Sequence, residues 1–393
     1  MNSPRILFIS PYLSVTYGGT SKSVSDLADA LGRSGTCLDL ITTHADVAHC
    51  LDVPTEIWLE KETYRLQYFP AWFKNDLIMS YRLLHWLFQN ASRYDLIHTH
   101  TIFSPLISLC HWICRYHGIP YLTTPHGMLE PWALQYKPWK KNLYYSLIER
   151  RNLRKAQAIH SIARCESENI ATLCPDATVW LVPNGIHWSD FSSPPSSAAF
   201  YQTYPHLRNQ KLILFLGRID PKKGLDLLAS AFAAIHQKVP DAHLVIAGPD
   251  SIGFLPTAQQ YFANAHCLEA VTFTGMLSGD IKYSALATAS VYVAPSYSEG
   301  FSMSILEGMA SGLPCVFTNA CNFPEAANVA KIVSVDQEQI AQAIYWCLAN
   351  PEDAVVMGDH ARQFISEHYT WDKIAIKLIG VYQSILNQGD SSQ

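Results

Sequence analysis

The stretch "PSYSEGFSMSILEGMASGLPCV", residues 295–316, decides the fold. The run "SVYVAPS" (290–296) that leads into it has the β-branched and aromatic content of a buried strand. A PSYSEG turn follows, the apolar spacing from about Ser302 suits a helix, and "PCVFTN" (314–319) begins another strand. Glu299 stands at the mouth of that helix, and Glu307 lies about two turns along it.

The same alternation runs outward in both directions. Upstream lie "KLILFLG" (211–217), a helix from about Gly224, "AHLVIAGP" (242–249) and "AVTFTG" (270–275). In the N-terminal half, "RILFIS" (5–10) passes through a Gly-Gly loop into the amphipathic "SKSVSDLADALGRSG" (21–35). "CLDLITTH", "YDLIHTH", "PYLTTPHG", "AQAIHSIA" and "TVWLVPNG" are further short apolar runs ending in turn residues. Strand, loop and helix in repetition predict an α/β protein with parallel sheets wrapped by helices. The segment "HWSDFSSPPSSAAFYQTYPHLRNQ" (187–210) breaks the rhythm and reads as an interdomain linker region. The division expected is therefore an N-terminal domain over 1–190 and a C-terminal domain over 211–370, both doubly wound and Rossmann-like. A last helix, about 371–387, is expected to cross back onto the first domain. Open parallel sheets bind ligands beyond the carboxyl ends of their strands, so two such domains facing each other predict a deep cleft.

Composition narrows the classes. A chain of 393 residues suits two domains, and 49% hydrophobic with 16% charged residues is globular. A net charge of −5 argues against generic nucleic-acid binding. No run approaches the roughly 20 apolar residues of a membrane-spanning helix, and "RILFIS" reads as a strand rather than a signal peptide. The ten cysteines form no CxxC pair, which predicts reduced thiols packed as small hydrophobes in a cytoplasmic protein.

The informative residues fall just after strands. In "GRIDPKKG" (217–224), Arg218 offers a planar fork to phosphate oxygens and Lys223 a mobile point charge; alone, this is also what an ordinary basic loop looks like. Gly18 and Gly19 precede a helix, where bare amides can approach an anion, with Thr20 or Ser21 as candidate caps. No GxGxxG occurs there, which counts against a conventional dinucleotide fold. The amides of Phe301, Ser302 and Met303 open the helix of the quoted stretch and can donate to a phosphate or a sugar hydroxyl. Glu299 and Glu307 accept without donating, which suits sugar and ribose hydroxyls respectively. His98 and His100 in "DLIHTH" have an i, i+2 spacing without a further metal ligand, and read as a core neighbour and site lining.

"EGFSMSILE", with "GRIDPKKG" upstream and "ASGLPCV" downstream, resembles the EX7E region of the GT4-type retaining glycosyltransferases. "YGG", "DLIHTH", "TTPHGML", "VPNGI", "IAGPD", "VTFTGML", "CNFPE" and "YTWDKIA" extend the resemblance over nearly the whole chain. It implies a GT-B fold and a nucleoside-diphosphate sugar as donor, with a UDP or GDP sugar expected. It also implies that Arg218 and Lys223 bind the diphosphate, that Glu299 contacts the transferred sugar and that Glu307 contacts the ribose. Gly19 would offer its amide to the phosphate and His126 would face the sugar near the reacting carbon. Retention by front-face attack, with the leaving phosphate taking the acceptor proton, is implied in the same way. The chain departs from the family at Gly308, where alanine is usual, at a cost to the helix of about 1 kcal/mol. It has no DxD motif, so no metal cofactor is expected.

The segment 137–155 concentrates seven of the 28 Lys and Arg residues, Lys137, Lys140, Lys141, Arg150, Arg151, Arg154 and Lys155, beside Trp139, Tyr144 and Tyr145. It suits an anionic lipid headgroup or a lipid-diphosphate acceptor, and equally a helix packed on the sheet with a solvated basic face. With His100, these residues are the acceptor candidates, for a glycan, lipid-linked or small acceptor in polysaccharide or glycolipid synthesis. A peripheral contact at the inner face of the membrane goes with that reading. Rivals are a nucleotide-sugar epimerase or phosphorylase of like architecture and a non-catalytic sugar-nucleotide-binding subunit. A phosphorylase would bring a pyridoxal-binding lysine and a far longer chain.

Overall fold

The computed structural model describes residues 4–47, 49–74, 77–131, 134, 138–193 and 196–390. The chain divides into two units, Met1–Gly185 with Trp371–Gln393, and Ile186–Thr370.

In the first unit, β1 (Arg5–Ile9), β2 (Cys37–Thr43), β3 (Trp58–Glu60), β4 (Arg65–Phe69), β5 (Leu96–His100), β6 (Tyr121–Thr124), β7 (Ala158–Ser161) and β8 (Val179–Leu181) form one sheet. Its order is β8-β7-β6-β5-β1-β2-β4-β3, parallel except for β3 against β4. The central strands are buried on both faces, which is why "RILFI" and "LIHTH" carry no alternation. Helices α1 (Gly19–Arg33), α2 (Pro105–His117), α3 (Pro138–Tyr144), α4 (Arg150–Lys155) and α5 (Arg164–Leu173) follow strands of this sheet. A π-helical turn, Tyr145–Glu149, joins α3 to α4.

The second sheet holds β9 (Lys211–Leu216), β10 (Ala242–Ala247), β11 (Val271–Gly275), β12 (Val291–Ala294), β13 (Cys315–Thr318) and β14 (Lys331–Val333). Its order is β11-β10-β9-β12-β13-β14, all parallel, which is the 3-2-1-4-5-6 Rossmann order. The order reverses between β9 and β12. Helices α6 (Leu225–Lys238), α7 (Gly279–Thr288) and α8 (Met303–Ala310) flank it. The last helix, α9 (Trp371–Asp390), belongs to the first unit. Its Trp371, Ile374, Ala375, Leu378, Val381 and Tyr382 pack with Ile6, Phe8, Val24 and Leu27 in one cluster.

The segment 187–210, expected to be a linker, is instead part of the second unit. Short helices cover Ser189–Ser192 and Ala198–Thr203, and Phe191, Phe200 and Leu207 are buried in the core of that unit. Ser284 Oγ accepts the Phe200 amide at 2.9 Å, and Tyr283 donates to Asp190 at 2.6 Å. Three widely spaced apolar anchors hold a stretch whose Ser and Pro content hides any period.

The Gly308 departure also has a packing reason. A Cβ at this position would lie 2.9 Å from Cγ of the buried Tyr292, too close for any side chain. The Tyr292 hydroxyl in turn donates to Ser304 Oγ, in the first turn of α8, at 2.8 Å. The glycine weakens α8 by propensity and admits the ring that ties the helix to β12.

Candidate active site

In the second unit, the loops after β9 and β12 meet where the strand order reverses. Gly224 makes this possible. It is left-handed (φ 66°), and a Cβ on it would stand 2.0 Å from the Pro295 carbonyl, so only a glycine lets the two loops touch. The Tyr297 amide donates to the Lys222 carbonyl at 2.7 Å and its hydroxyl to Asp226 at 2.6 Å, tying the loops from both ends. Asp220 caps the turn through the Lys222 amide at 3.0 Å.

That contact sets Lys223 against Glu299. The two side chains form an ion pair at 12% and 8% exposure, and Ser296 Oγ donates to the same carboxylate at 2.8 Å. Burial pushes the Glu299 carboxyl up, yet Lys223 and Lys222 outweigh it and hold the group below its usual range. Lys222, which the sequence reading passed over, has its ammonium pulled down first by burial, with Lys223 and Arg218 adding repulsion. Arg218 is exposed and makes no ion pair among the described residues. Three cations against Glu299 and Asp220 leave this corner with a net positive charge.

Helix α8 starts beside it. Ser302 is its cap residue and makes no side-chain capping bond; of the expected donors Phe301, Ser302 and Met303, Met303 alone lies within the first turn, Ser302 being the cap and Phe301 preceding it. The Phe301 ring itself is structural, stacked at 6.3 Å on Tyr369 and edge-on at 5.7 Å to Phe323. Glu307 is not a solvated surface residue: Lys282 of α7 donates to its Oε1 at 2.9 Å, both side chains being below 20% exposure. This leaves Oε2 for a ligand. Lys282 had no signal in the sequence, since it lies 25 residues from its partner.

In the first unit, Gly18 (φ 85°) caps α1 without a side-chain bond and Gly19 begins the helix. Thr20 and Ser21, considered as caps, lie inside it, and the buried Ser21 hydroxyl has no partner among the described residues. Behind the ends of β5 and β6 stand His98, His100, His126 and His160. His126 takes a left-handed backbone (φ 55°), uncommon for a histidine. Burial pushes its imidazole down to about 3 and that of His160 to about 4, and holds His98 and His100 well below the usual value. All four are neutral at pH 7.

Neutrality fixes the hydrogens. His160 Nε2 faces the Val182 carbonyl at 2.7 Å and must donate, so its Nδ1 accepts from Thr124 Oγ1 at 2.9 Å. Thr124 then accepts from His98 Nε2, and His98 Nδ1 accepts from the Tyr382 hydroxyl, each at 2.7 Å. A single direction runs from Tyr382 on α9 to the Val182 carbonyl just after β8. His100, expected to line an acceptor site, is fully buried and stacked on His98 at 4.4 Å. It reaches the loop only through His126 Nε2, 3.1 Å from its Nδ1. Its own Nε2 has no partner among the described residues; an orphaned acceptor costs less than an orphaned N–H, so His100 donates and His126 carries its hydrogen on Nδ1. Glu166, also missed in the sequence, holds this loop by accepting the Gly127 and Ile162 amides, the latter at 2.9 Å.

Of the basic segment, Lys140, Arg150 and Arg151 are exposed and Lys141 is half-buried, its ammonium 5.6 Å from the Phe103 ring centre; Lys137 lies outside the described residues.

Two Rossmann units, one with a cationic corner beside an open helix start, suit a phosphorylated ligand such as a nucleotide sugar. Residues 17–189 match Glycosyltransferase Family 4 and residues 200–364 match Glycosyl transferases group 1. The chain belongs to glycosyltransferase family 4, and its fold is GT-B. It is 28% identical over 215 residues to a GDP-mannose-dependent alpha-(1-6)-phosphatidylinositol monomannoside mannosyltransferase of Mycobacterium tuberculosis (strain CDC 1551 / Oshkosh). That match covers 52% of this chain and 55% of the relative, about half the relative's length. A phosphatidyl-myo-inositol mannosyltransferase of Mycobacterium leprae (strain TN) is 26% identical over 415 residues, 99% of each chain. The solved sucrose-phosphate synthase of Thermosynechococcus elongatus has a TM-score of 0.78 at 20% identity, over 98% of this chain and 100% of that one.

Proposed function

We propose that the chain moves a hexose from a UDP or GDP sugar to a hydroxyl of a glycan, lipid-linked or small acceptor, with retention and without a metal. The observation that carries the reading is the corner at β9 and β12, where Lys223 is held on buried Glu299 while Arg218 stays unpaired beside the open start of α8. As the bond from the anomeric carbon to phosphate breaks, charge gathers on the diphosphate, and these groups are already aimed to receive it. Glu299 holds a sugar hydroxyl, Glu307 Oε2 the ribose, and His126 Nδ1 donates to the sugar. The acceptor oxygen bonds to the anomeric carbon and its proton leaves with the diphosphate. Gly18 and Gly19 offer amides to that phosphate.

Release of UDP or GDP from a panel of donor sugars, with and without EDTA, tests this. Release unaffected by EDTA is expected. Binding without release from every donor would make the chain a sugar-nucleotide-binding subunit, and an epimerised donor would make it an epimerase.

The reading includes a peripheral membrane contact. Trp139, Leu143 and Leu147, at helical spacing on α3 and the π-turn, are 66%, 53% and 69% exposed beside Lys140, Arg150 and Arg151. No helix among the described residues is long and apolar enough to cross a membrane. Co-sedimentation with anionic vesicles at low salt, lost at high salt or when Lys140, Lys141, Arg150 and Arg151 become Gln, is expected. Protein remaining in the supernatant at low salt would make this helix scaffold.

A further inference from the structure

Glu299 sits on a segment that does not place it unaided. Residues 295–302, all described, run from β12 to α8 and form neither helix nor strand. Lys223 and Ser296 meet its side chain, whereas its backbone is met by the loop that leaves β13. The Glu299 amide donates to the Ala320 carbonyl at 2.9 Å, and the Asn322 side-chain amide donates to the Glu299 carbonyl. A carbonyl only accepts, so Nδ2 of Asn322 is the atom that faces it.

The loop that supplies these partners is itself seated in the core. Cys321 and Phe323 are buried in the second unit, and the buried Thr318 donates to the Ser296 carbonyl. Asn319–Cys321 form one 3₁₀ turn, and Asn322 ends it with a left-handed backbone (φ 56°, ψ 39°). Asparagine enters that region more readily than most residues other than glycine. The position needs a residue that turns the chain and also carries a donor. Asparagine meets both needs, whereas glycine and aspartate turn the chain but have no side-chain N–H.

We propose that Asn322 is a positioning residue for the transfer reaction: it fixes the Glu299 peptide so that the carboxylate is presented to the transferred sugar. The inference rests on the transferase reading and adds a residue that acts through Glu299. Displacing a group at the reacting centre by about 1 Å can cost about a hundredfold in rate. Under that reading nucleotide affinity lies with Arg218, Lys223 and Glu307, so the loss of Asn322 falls on kcat rather than on binding.

Three measurements on the same full-chain variants test this: donor turnover, calorimetry with UDP and GDP, and the nitrogen-15 shift of Gly300, whose amide shares a peptide group with the Glu299 carbonyl. Asn322→Gly keeps the left-handed backbone and removes the donor. Its kcat should fall about tenfold while nucleotide affinity stays within about twofold, and its Gly300 shift should move. Asn322→Asp sets two acceptors face to face whichever oxygen turns inward, so its kcat should fall further. Glu299→Ala leaves no carboxylate to place, and adding Asn322→Gly to it should lower kcat by less than about twofold. Wild-type kcat in Asn322→Gly, the same loss with the Glu299 side chain present or absent, or an unmoved Gly300 shift overturns the proposal. A chain that turns over no donor sinks the transferase reading, and the Gly300 shift then still decides whether Asn322 holds Glu299.

Discussion

Behind the strand ends of the first unit stand four neutral histidines; behind those of the second stand Lys223 with Glu299 and Lys282 with Glu307. Both groups are withdrawn from water, and they answer the cost of burial differently. An imidazole titrates near neutrality, so burial turns it neutral and leaves it to be satisfied by hydrogen bonds, as the Tyr382–His98–Thr124–His160 chain does. An ammonium and a carboxylate resist neutralisation and keep their charges by pairing. Under the proposed function the second unit meets a diphosphate and has standing charge for it, and the first orients sugar hydroxyls with the fixed donors and acceptors of neutral rings.

The largest effect should separate Lys223 from Arg218. Under the proposed function, removing either takes a charge-assisted contact from the developing diphosphate, and turnover should fall about a hundredfold or more in Arg218→Ala and Lys223→Ala. Their stabilities should differ. Lys223→Ala leaves Glu299 buried and unpaired, at a cost of about 3–5 kcal/mol, whereas Arg218 is exposed and unpaired, so its loss should leave the melting temperature within a degree or two, under about 0.5 kcal/mol. Kinetics and thermal melts on the same preparations check this. Near-normal turnover in both would place the diphosphate elsewhere.

Acid should act on the first unit before the second. The histidines have native values below their unfolded ones, so the stability they give is fully present above about pH 6.5 and lost as pH falls toward the native values. At pH 5 that loss is about 2 kcal/mol for each of His126 and His160. Glu166 opposes them: burial raises its carboxyl to about 7, so its contribution is present below about 4.5 and lost as pH rises through 7. The histidines outnumber it. Glu299 is held below its usual range, so the pair in the second unit survives to lower pH. Amide exchange at pH 8 and pH 5 should show β5 and β6 losing protection relative to β9 and β12. Equal losses would break the comparison.

A smaller effect is expected at Glu307. The proposed ribose contact would be made in ground and transition states alike, so Glu307→Gln should weaken nucleoside diphosphate binding about tenfold and leave kcat nearly unchanged. Glu299→Gln should lower kcat more than affinity. Calorimetry with UDP and GDP measures the first, and unchanged affinity would remove the ribose assignment.

The second sheet was legible outward from residues 295–316 because its strands are short apolar runs, each ending in turn residues. The sequence did not show the 187–210 segment joining that sheet, since Phe191, Phe200 and Leu207 are anchors without a period. Arg218, Lys223 and Glu299 could be picked out as strand-end charges and Glu307 as a carboxylate within the helix that follows, but Lys282 and Glu166 could not. Lys282 lies 25 residues from Glu307 and Glu166 39 residues from Gly127, and a carboxylate that grips two amides looks like any helical glutamate. His100 misled for a related reason: polar residues at a strand end read as accessible, and only the packing of Phe8 and His98 shows that it is covered.

The finest test compares one buried tyrosine from each unit. Tyr382 and Tyr292 are 1% and 0% exposed, and each donates one side-chain hydrogen bond. Tyr382→Phe removes the donor at the head of the histidine chain. His98 Nδ1 is then an unsatisfied buried acceptor, or His98 changes tautomer and forces Thr124 and His160 to turn with it. Tyr292→Phe leaves Ser304 with Ser302 Oγ still 3.2 Å away, so its loss is repaired locally. The first change should therefore cost about 1–2 kcal/mol and the second about 0.5 kcal/mol. The nitrogen-15 shifts of His98 and His160 should move in Tyr382→Phe and stay fixed in Tyr292→Phe. Equal costs with unmoved histidine shifts would show that the four rings are packed side by side without a shared direction.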